Sequence, residues 1–347
     1  MKNHEARDVG IEWLRATLMF GICLLHSATM CGHPNKWIQG LLTPCVNAFV
    51  FISGYYGIRF RPSKIIRLYG IGIFCAFAVV GVTRLKFGAE VAGTGVYWFD
   101  SFRLFKQSFW FLHAYVVLSL LAPLVDSVIE SFRLDGNMRK MLAAIIPVLL
   151  LVYAWGAAVS MPGFALVAPN SAGVCSYSGL ALLGTYILAR FYRLFDIGRS
   201  LSWKKLVAIF PLLTILSCVC SIFEYATIVA VLMAMCYFWM FARFKICVGV
   251  GILTPSLFSV YLLHSQAFGF VWMRHIEESL LDIGVPMLLA YFMTAASVFV
   301  ACLVLDITRR VILRLFCRPI QRSCAWMDGK YEQFLELLTK KLSQVYE

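Results

Sequence analysis

About ten stretches of this chain are each long and apolar enough to cross a lipid bilayer, and their succession constrains the fold before any single residue is considered. They are Ile11–Cys31, Ile38–Ile58, Ile65–Leu85, Phe109–Ile129, Met141–Met161, Gly173–Leu194, Leu206–Ile222, Tyr225–Phe244, Gly249–Val271 and Val285–Arg309. In hydrocarbon every backbone N–H and C=O must find its partner within the protein, so single spans of this length are helices. The expected architecture is therefore all-α, a polytopic membrane bundle of about ten transmembrane helices. Composition agrees: 61% of residues are hydrophobic and 14% charged, with a mean hydropathy of +0.79. A soluble domain has about 45–50% apolar residues and about 25% charged ones. A water-facing globule of this size could not hide so much apolar surface. Residues 1–10 are polar and no small-residue cleavage site follows the first run, so that run is expected to be a retained span rather than a cleaved signal. Phe223-Glu224 joins the seventh and eighth runs as a tight helical hairpin.

The charge distribution sets the orientation. Of 31 Lys and Arg, 24 fall on the side shared by the N-terminus and the even-numbered loops, six fall on the other side, and Arg15 lies inside the first run. Basic residues favour the cytoplasmic side, which puts both termini there. The net charge of +13 is thus used for topology and for membrane lipids, and no nucleic-acid partner is expected. The twelve Cys are scattered without metal-site spacing, and Cys218 and Cys220 lie within an apolar run. Neither a disulfide framework nor a metal site is expected. Residues 86–108 carry Tyr97, Trp98, Phe99, Phe102 and Phe105 among charges, a pattern suited to a helix lying in the outer interface. The chain divides into a membrane domain, 1–316, and a cytoplasmic tail, 317–347. Tyr331, Phe334, Leu335, Leu338, Leu342 and Val345 recur in that tail at helical spacing, so it is expected to be an amphipathic helix resting on the membrane or the bundle.

Arg15 and His26 stand out chemically. Eleven residues at 100° each leave them about 20° apart on one helix face and about 16 Å apart along the axis. A cation within a membrane needs a partner or a wet cavity. Glu12, three residues earlier, is the partner that would make Arg15 structural. An imidazole titrates near working pH and suits a general base, whereas a guanidinium suits an anion. The bland role for His26 is a hydrogen bond to a backbone carbonyl.

Arg15-x10-His26, opened by Ile11-Glu12-Trp13-Leu14-Arg15, resembles the signature of the acyltransferase-3 family of membrane acyltransferases. Phe49-Val50-Phe51-Ile52-Ser53-Gly54-Tyr55 is similar to that family's aromatic segment ending in Ser-Gly, and Arg59, Arg61, Lys64 and Arg67 follow as its basic stretch. Trp110-Phe111-Leu112 with Pro123, Leu183-Gly184-Thr185-Tyr186 and Tyr261-Leu262-Leu263-His264 continue the resemblance in order over nearly the whole chain. Ala16 stands where the family often has Gly.

The resemblance implies an O-acyltransferase of the bacterial cell membrane. It would move an acyl group, usually acetyl, from cytoplasmic acyl-CoA to a hydroxyl of a cell-surface or lipid-linked glycan. Acetyl-CoA would be a co-substrate, with no tightly bound cofactor and no metal. His26 would be the base and Arg15 the catalytic partner that holds the donor. Arg59, Arg61, Lys64 and Arg67, with Ser53 and Gly54, would form the donor site; topology and helix packing are the competing roles of these six. Glu12, Trp110, His113, Glu224, Tyr261 and His264 are supporting positions, each with an ordinary alternative as interface anchor, turn residue or hydrogen-bonded core group. Asp126 and Asp306 are expected to neutralise basic neighbours. No soluble outer domain is expected after the tenth run, so the outer loops or a partner would bind the acceptor. Ten helices with buried charges also suit an exporter of a polysaccharide or small solute, and a sensing module without catalysis is a third reading. Inverted repeats with broken helices would favour transport.

Overall fold

The computed structural model describes residues 8–30, 35–88, 109–134, 177–195, 202–219, 227–243, 248–316, 323–334, 336 and 337, with scattered positions at 90–101 and 143–147. The elements are α1 (Val9–Met30), α2 (Lys36–Leu42), α3 (Pro44–Tyr56), α4 (Pro62–Phe87), β1 (Glu90–Val91) and β2 (Thr94–Gly95). Next come α5 (Trp110–Leu134), α6 (Tyr177–Leu194), α7 (Trp203–Val219) and α8 (Ile228–Ala242). Last are α9 (Thr254–His264), α10 (Ala267–Asp282), α11 (Met287–Phe316) and a tail helix, α12, over residues 323–334. Among the described residues, five helical stretches are long and apolar enough to cross a membrane: Val9–Thr29, Lys36–Tyr56, Pro62–Phe87, Trp110–Ser131 and Met287–Leu313. The shorter Ile228–Ala242 is also apolar. The chain is a helical, multi-pass membrane protein. The expected span Met141–Met161, apart from residues 143, 146 and 147, and the hairpin residue Glu224 lie outside the described residues.

Three local features depart from simple spans, each for a visible reason. The second run is two helices, because Pro44 opens α3 directly after α2, while the Asn35 side chain accepts from the N–H groups of Trp37 (3.0 Å) and Ile38 (3.2 Å) to cap α2. After α4, Gly88 turns the chain at φ +83°, and Glu90–Val91 pairs antiparallel with Thr94–Gly95 where an interfacial helix was expected to begin. The ninth run breaks at Ser265-Gln266 into α9 and α10. There side chains take over the backbone accounting. Gln266 Nε2 donates to the carbonyls of Leu262 (3.0 Å) and Leu263 (3.3 Å), and Ser265 Oγ donates to that of Tyr261 (2.6 Å). Gly269 then lies against the His264 carbonyl, where a Cβ would overlap it.

α1 is the hub. Ala16, Met19 and Cys23 join a core that includes Cys75, Tyr261, Leu262 and Ala295, contributed by α4, α9 and α11. Ile11, Leu14, Leu18 and Ile22 join a second core with α3, α5, α6 and α8. A helix apolar on all sides belongs inside a bundle. Side chains such as Ile73, Phe74, Leu288, Phe292, Val300 and Val304 are exposed on α4 and α11, as expected of surfaces solvated by lipid.

Polar contacts fasten helices to one another. Asn47 donates to Thr185 (3.1 Å), Tyr186 donates to Asp126 (3.0 Å), and Arg190 Nε lies 3.0 Å from the same Asp126 oxygen. Gly54 lets α3 approach α6 so closely that a Cβ there would sit 2.7 Å from the Tyr186 carbonyl oxygen. Asp306 is buried and accepts from Arg309 Nε (2.9 Å) and Nη2 (2.6 Å), with Arg310 Nε 3.1 Å from its other oxygen. Both aspartates thus neutralise basic neighbours.

The tail helix docks on the start of α4. Asp328 accepts from the backbone N–H (3.1 Å) and hydroxyl (2.6 Å) of Ser63, and Tyr331 meets Phe60 edge-on at 5.2 Å, while Phe334 and Leu337 stay exposed. Ser63 is in the first turn of α4, so Asp328 satisfies one of the N–H groups that a helix leaves open. Asp328→Ala should cost about 1 kcal/mol, the typical worth of a lost cap. It should also make residues 323–334 cleavable by protease at concentrations that spare the wild type; equal cleavage rates would show that the dock does not hold the tail.

Candidate active site

α1 is one unbroken helix from Val9 to Met30, so Arg15 and His26 are rigidly spaced by about 16 Å along it. They lie in two different surroundings. At one end, Arg15 lines a cavity of about 480 Å³ with Asp8, Ile11, Glu12, Tyr55, Tyr56, Arg193, Phe238, Trp239, Ala242 and Thr254. That volume falls in the range of small-molecule sites, about 300–1,000 Å³. Arg193 donates to the Tyr55 hydroxyl (3.2 Å) and its guanidinium lies 5.0 Å from that ring. Glu12 is buried and packs on Gly251, whose segment is tied down where Trp13 Nε1 donates to the Val248 carbonyl (2.7 Å). Arg15 and Arg193 bring two guanidinium groups, and Asp8 and Glu12 two carboxylates, to an aromatic-walled cavity; a guanidinium suits a phosphate or another anion.

Three turns along α1, His26 meets His264 from α9 and Phe270 from α10, with ring centroids 5.1 Å and 5.4 Å away. His264 is 1% exposed. Its Nδ1 lies 2.6 Å from the Val260 carbonyl, which can only accept, so the proton resides on Nδ1 and Nε2 keeps its lone pair. Cys23 Sγ is 3.7 Å from the same Nδ1. His264 Nε2, His26 Nδ1 and the Tyr261 hydroxyl are buried and have no hydrogen-bond partner among the described residues. Imidazole nitrogens without a partner among the described residues can receive a hydroxyl and remove its proton. The break after α9 leaves His264 at a helix end, turned back by the close contact of Gly269.

The basic stretch does not share the Arg15 cavity. Arg59 and Arg61 line another one of about 220 Å³ with Phe60, Asp328, Tyr331 and Glu332. Lys64 donates to the Tyr115 hydroxyl (3.3 Å), and Arg67 is exposed. Ser53 Oγ donates to the Phe49 carbonyl (3.0 Å) within its own helix, and Gly54 serves the α3–α6 contact. His113 Nδ1 lies 3.4 Å from the Tyr69 hydroxyl, and Trp110 packs edge-on against Phe111 at 5.8 Å. Among the described residues no three His, Cys, Asp or Glu gather to hold a metal ion.

Sequence reasoning passed over Arg193, Tyr55 and Thr254 in the first cavity, and over Glu277 near the second site. Glu277 of α10 is 1% exposed; its Oε2 accepts from Ser27 Oγ (3.2 Å) and its Oε1 has no partner among the described residues. Phe270, Met273 and Glu277 recur at i, i+3 and i+7, the spacing that could have marked one buried helix face.

No curated protein and no solved structure matches the chain. A family model described as an acyltransferase domain does match it, over residues 8–306, which takes in α1 with Arg15 and His26, the α9–α10 break and most of α11. The chain belongs to the acyltransferase-3 family.

Proposed function

We propose that this acyltransferase moves an acetyl group from cytoplasmic acetyl-CoA to a hydroxyl of a lipid-linked or extracytoplasmic glycan at a bacterial cell membrane. The carrying observation is that one rigid helix bears a guanidinium in a cavity and, about 16 Å further on, an imidazole paired with a second imidazole. In the sequence-derived topology, with both termini cytoplasmic and about ten spans, the first site opens inward and the second lies beyond mid-membrane.

In this reading Arg15 and Arg193 hold a donor phosphate, the donor's extended thiol arm spans the roughly 16 Å to His26 and brings the thioester there, and Arg59 and Arg61 add positive charge along the donor's approach. His26 takes the proton of the acceptor hydroxyl as its oxygen attacks the thioester carbonyl. The tetrahedral intermediate collapses, the C–S bond breaks, and the leaving thiolate takes the proton from the imidazolium. His264, with its proton held on Nδ1 by Val260, offers Nε2 as a second acceptor at the same hydroxyl.

The test is transfer of radiolabel from acetyl-CoA to a membrane-glycan extract by purified protein in liposomes. Wild type should label glycan. Arg15→Ala should raise KM for acetyl-CoA at least about tenfold, the loss expected when an interaction with the donor is removed. An unchanged KM would remove Arg15 from the donor site. The broken helix at Ser265-Gln266 is also a device of transporters, so glycan flux without label transfer would favour export.

A further inference from the structure

Glu277 is a carboxylate in the wrong place for a merely structural role. It is 1% exposed and, among the described residues, has a single hydrogen-bond donor, Ser27 Oγ at 3.2 Å, while its buried Oε1 has no partner among them. A buried carboxylate is costly unless its oxygens are supplied with donors, and one neutral hydroxyl meets only part of that demand. Its location is specific. Ser27 follows His26 directly on α1 and is fully buried. The same helix, α10, brings Phe270 to within 5.4 Å of the His26 ring. Phe270 and Glu277 are seven residues apart, about 20° around a helix, so one face of α10 runs past both His26 and Ser27.

We infer that Glu277 is an acceptor-binding residue: its Oε1 takes a hydrogen bond from one hydroxyl of a polyhydroxylated acceptor whose other hydroxyl is presented to His26. This rests on the acyltransferase reading above and specifies the acceptor chemistry within it. A carboxylate only accepts, so its missing partner must donate, and a sugar with neighbouring hydroxyls donates from one carbon while it reacts at another. Ser27 holds Oε2 and thereby fixes the carboxylate plane. Phe270 supplies an apolar edge beside the reacting hydroxyl.

The experiment uses full-length protein in liposomes and the glycan fraction to which wild type passes label from acetyl-CoA. Three quantities are read for wild type, Glu277→Gln and Glu277→Asp: KM for that glycan, KM for acetyl-CoA, and His26-dependent hydrolysis of acetyl-CoA without glycan. Glu277→Gln should raise the glycan KM about tenfold, the difference between a charged and a neutral hydrogen-bond acceptor. Donor KM and hydrolysis should stay within about twofold. Glu277→Asp, which restores the charge, should recover part of the glycan affinity. An unmoved glycan KM, or a parallel loss of all three quantities in both variants, would overturn the assignment. A wild type that labels no glycan and hydrolyses no acetyl-CoA would instead overturn the reading on which it rests.

Discussion

Replacing His26 by alanine should lower kcat for acyl transfer by about 10²–10⁴-fold, the contribution typical of a positioned general base. Binding of acetyl-CoA should be retained, because the cavity at Arg15 lies about 16 Å away along the same helix. The substitution removes a half-buried ring from between His264 and Phe270, so some loss of thermal stability is expected too, and folded protein must be quantified beside activity. The decisive comparison is between kcat and donor affinity in one preparation. A fall confined to kcat supports the base assignment. Transfer at wild-type rate would hand the proton to another group, and His264 Nε2 is the acceptor at hand.

The largest effect on stability should come from Asp306. Its oxygens face Arg309 and Arg310, and both Asp306 and Arg309 are nearly inaccessible, at 1% and 8% exposed. Asp306→Ala leaves at least one buried guanidinium without its counter-charge, a change worth about 3–5 kcal/mol in buried pairs. Thermal unfolding in detergent should show a large drop in midpoint. Adding Arg309→Met should restore most of it, since the methionine refills the volume without a charge to compensate. If the single variant unfolds like wild type, the pair is solvated and its structural role lapses.

The sequence displays some of this architecture more clearly than the rest, for physical reasons. α1 is legible because a spanning apolar run states both existence and length, and Arg15 and His26 are conspicuous because charge in such a run is costly. The helix break at Ser265-Gln266 is hidden because hydropathy continues across it; the interruption is visible only in which carbonyls those two side chains cap. Glu277 is hidden for the opposite reason. It follows the apolar run in a polar string, His275-Ile276-Glu277-Glu278, and such a string suggests a loop. Only the helical continuation of α10 turns it inward. The division of the basic residues between two cavities also escapes linear reading, since Arg193 is more than a hundred residues from the Arg59–Arg67 cluster. Conversely, the close approach at Gly54 matches the packing role that a small residue late in a span suggests.

The shortness of α9 bears on how the chain enters its membrane. Eleven residues rise about 16 Å, roughly half of a hydrocarbon core about 30 Å thick. Released alone from the insertion machinery, this helix would leave the polar groups of Ser265 and Gln266 stranded in lipid. Its burial is completed by neighbours, among them α1 and α4, made far earlier, and α11, made afterwards. Integration of the His264 segment is therefore a tertiary event that waits for the last span, and a nascent chain halted before α11 would expose that segment to membrane quality control.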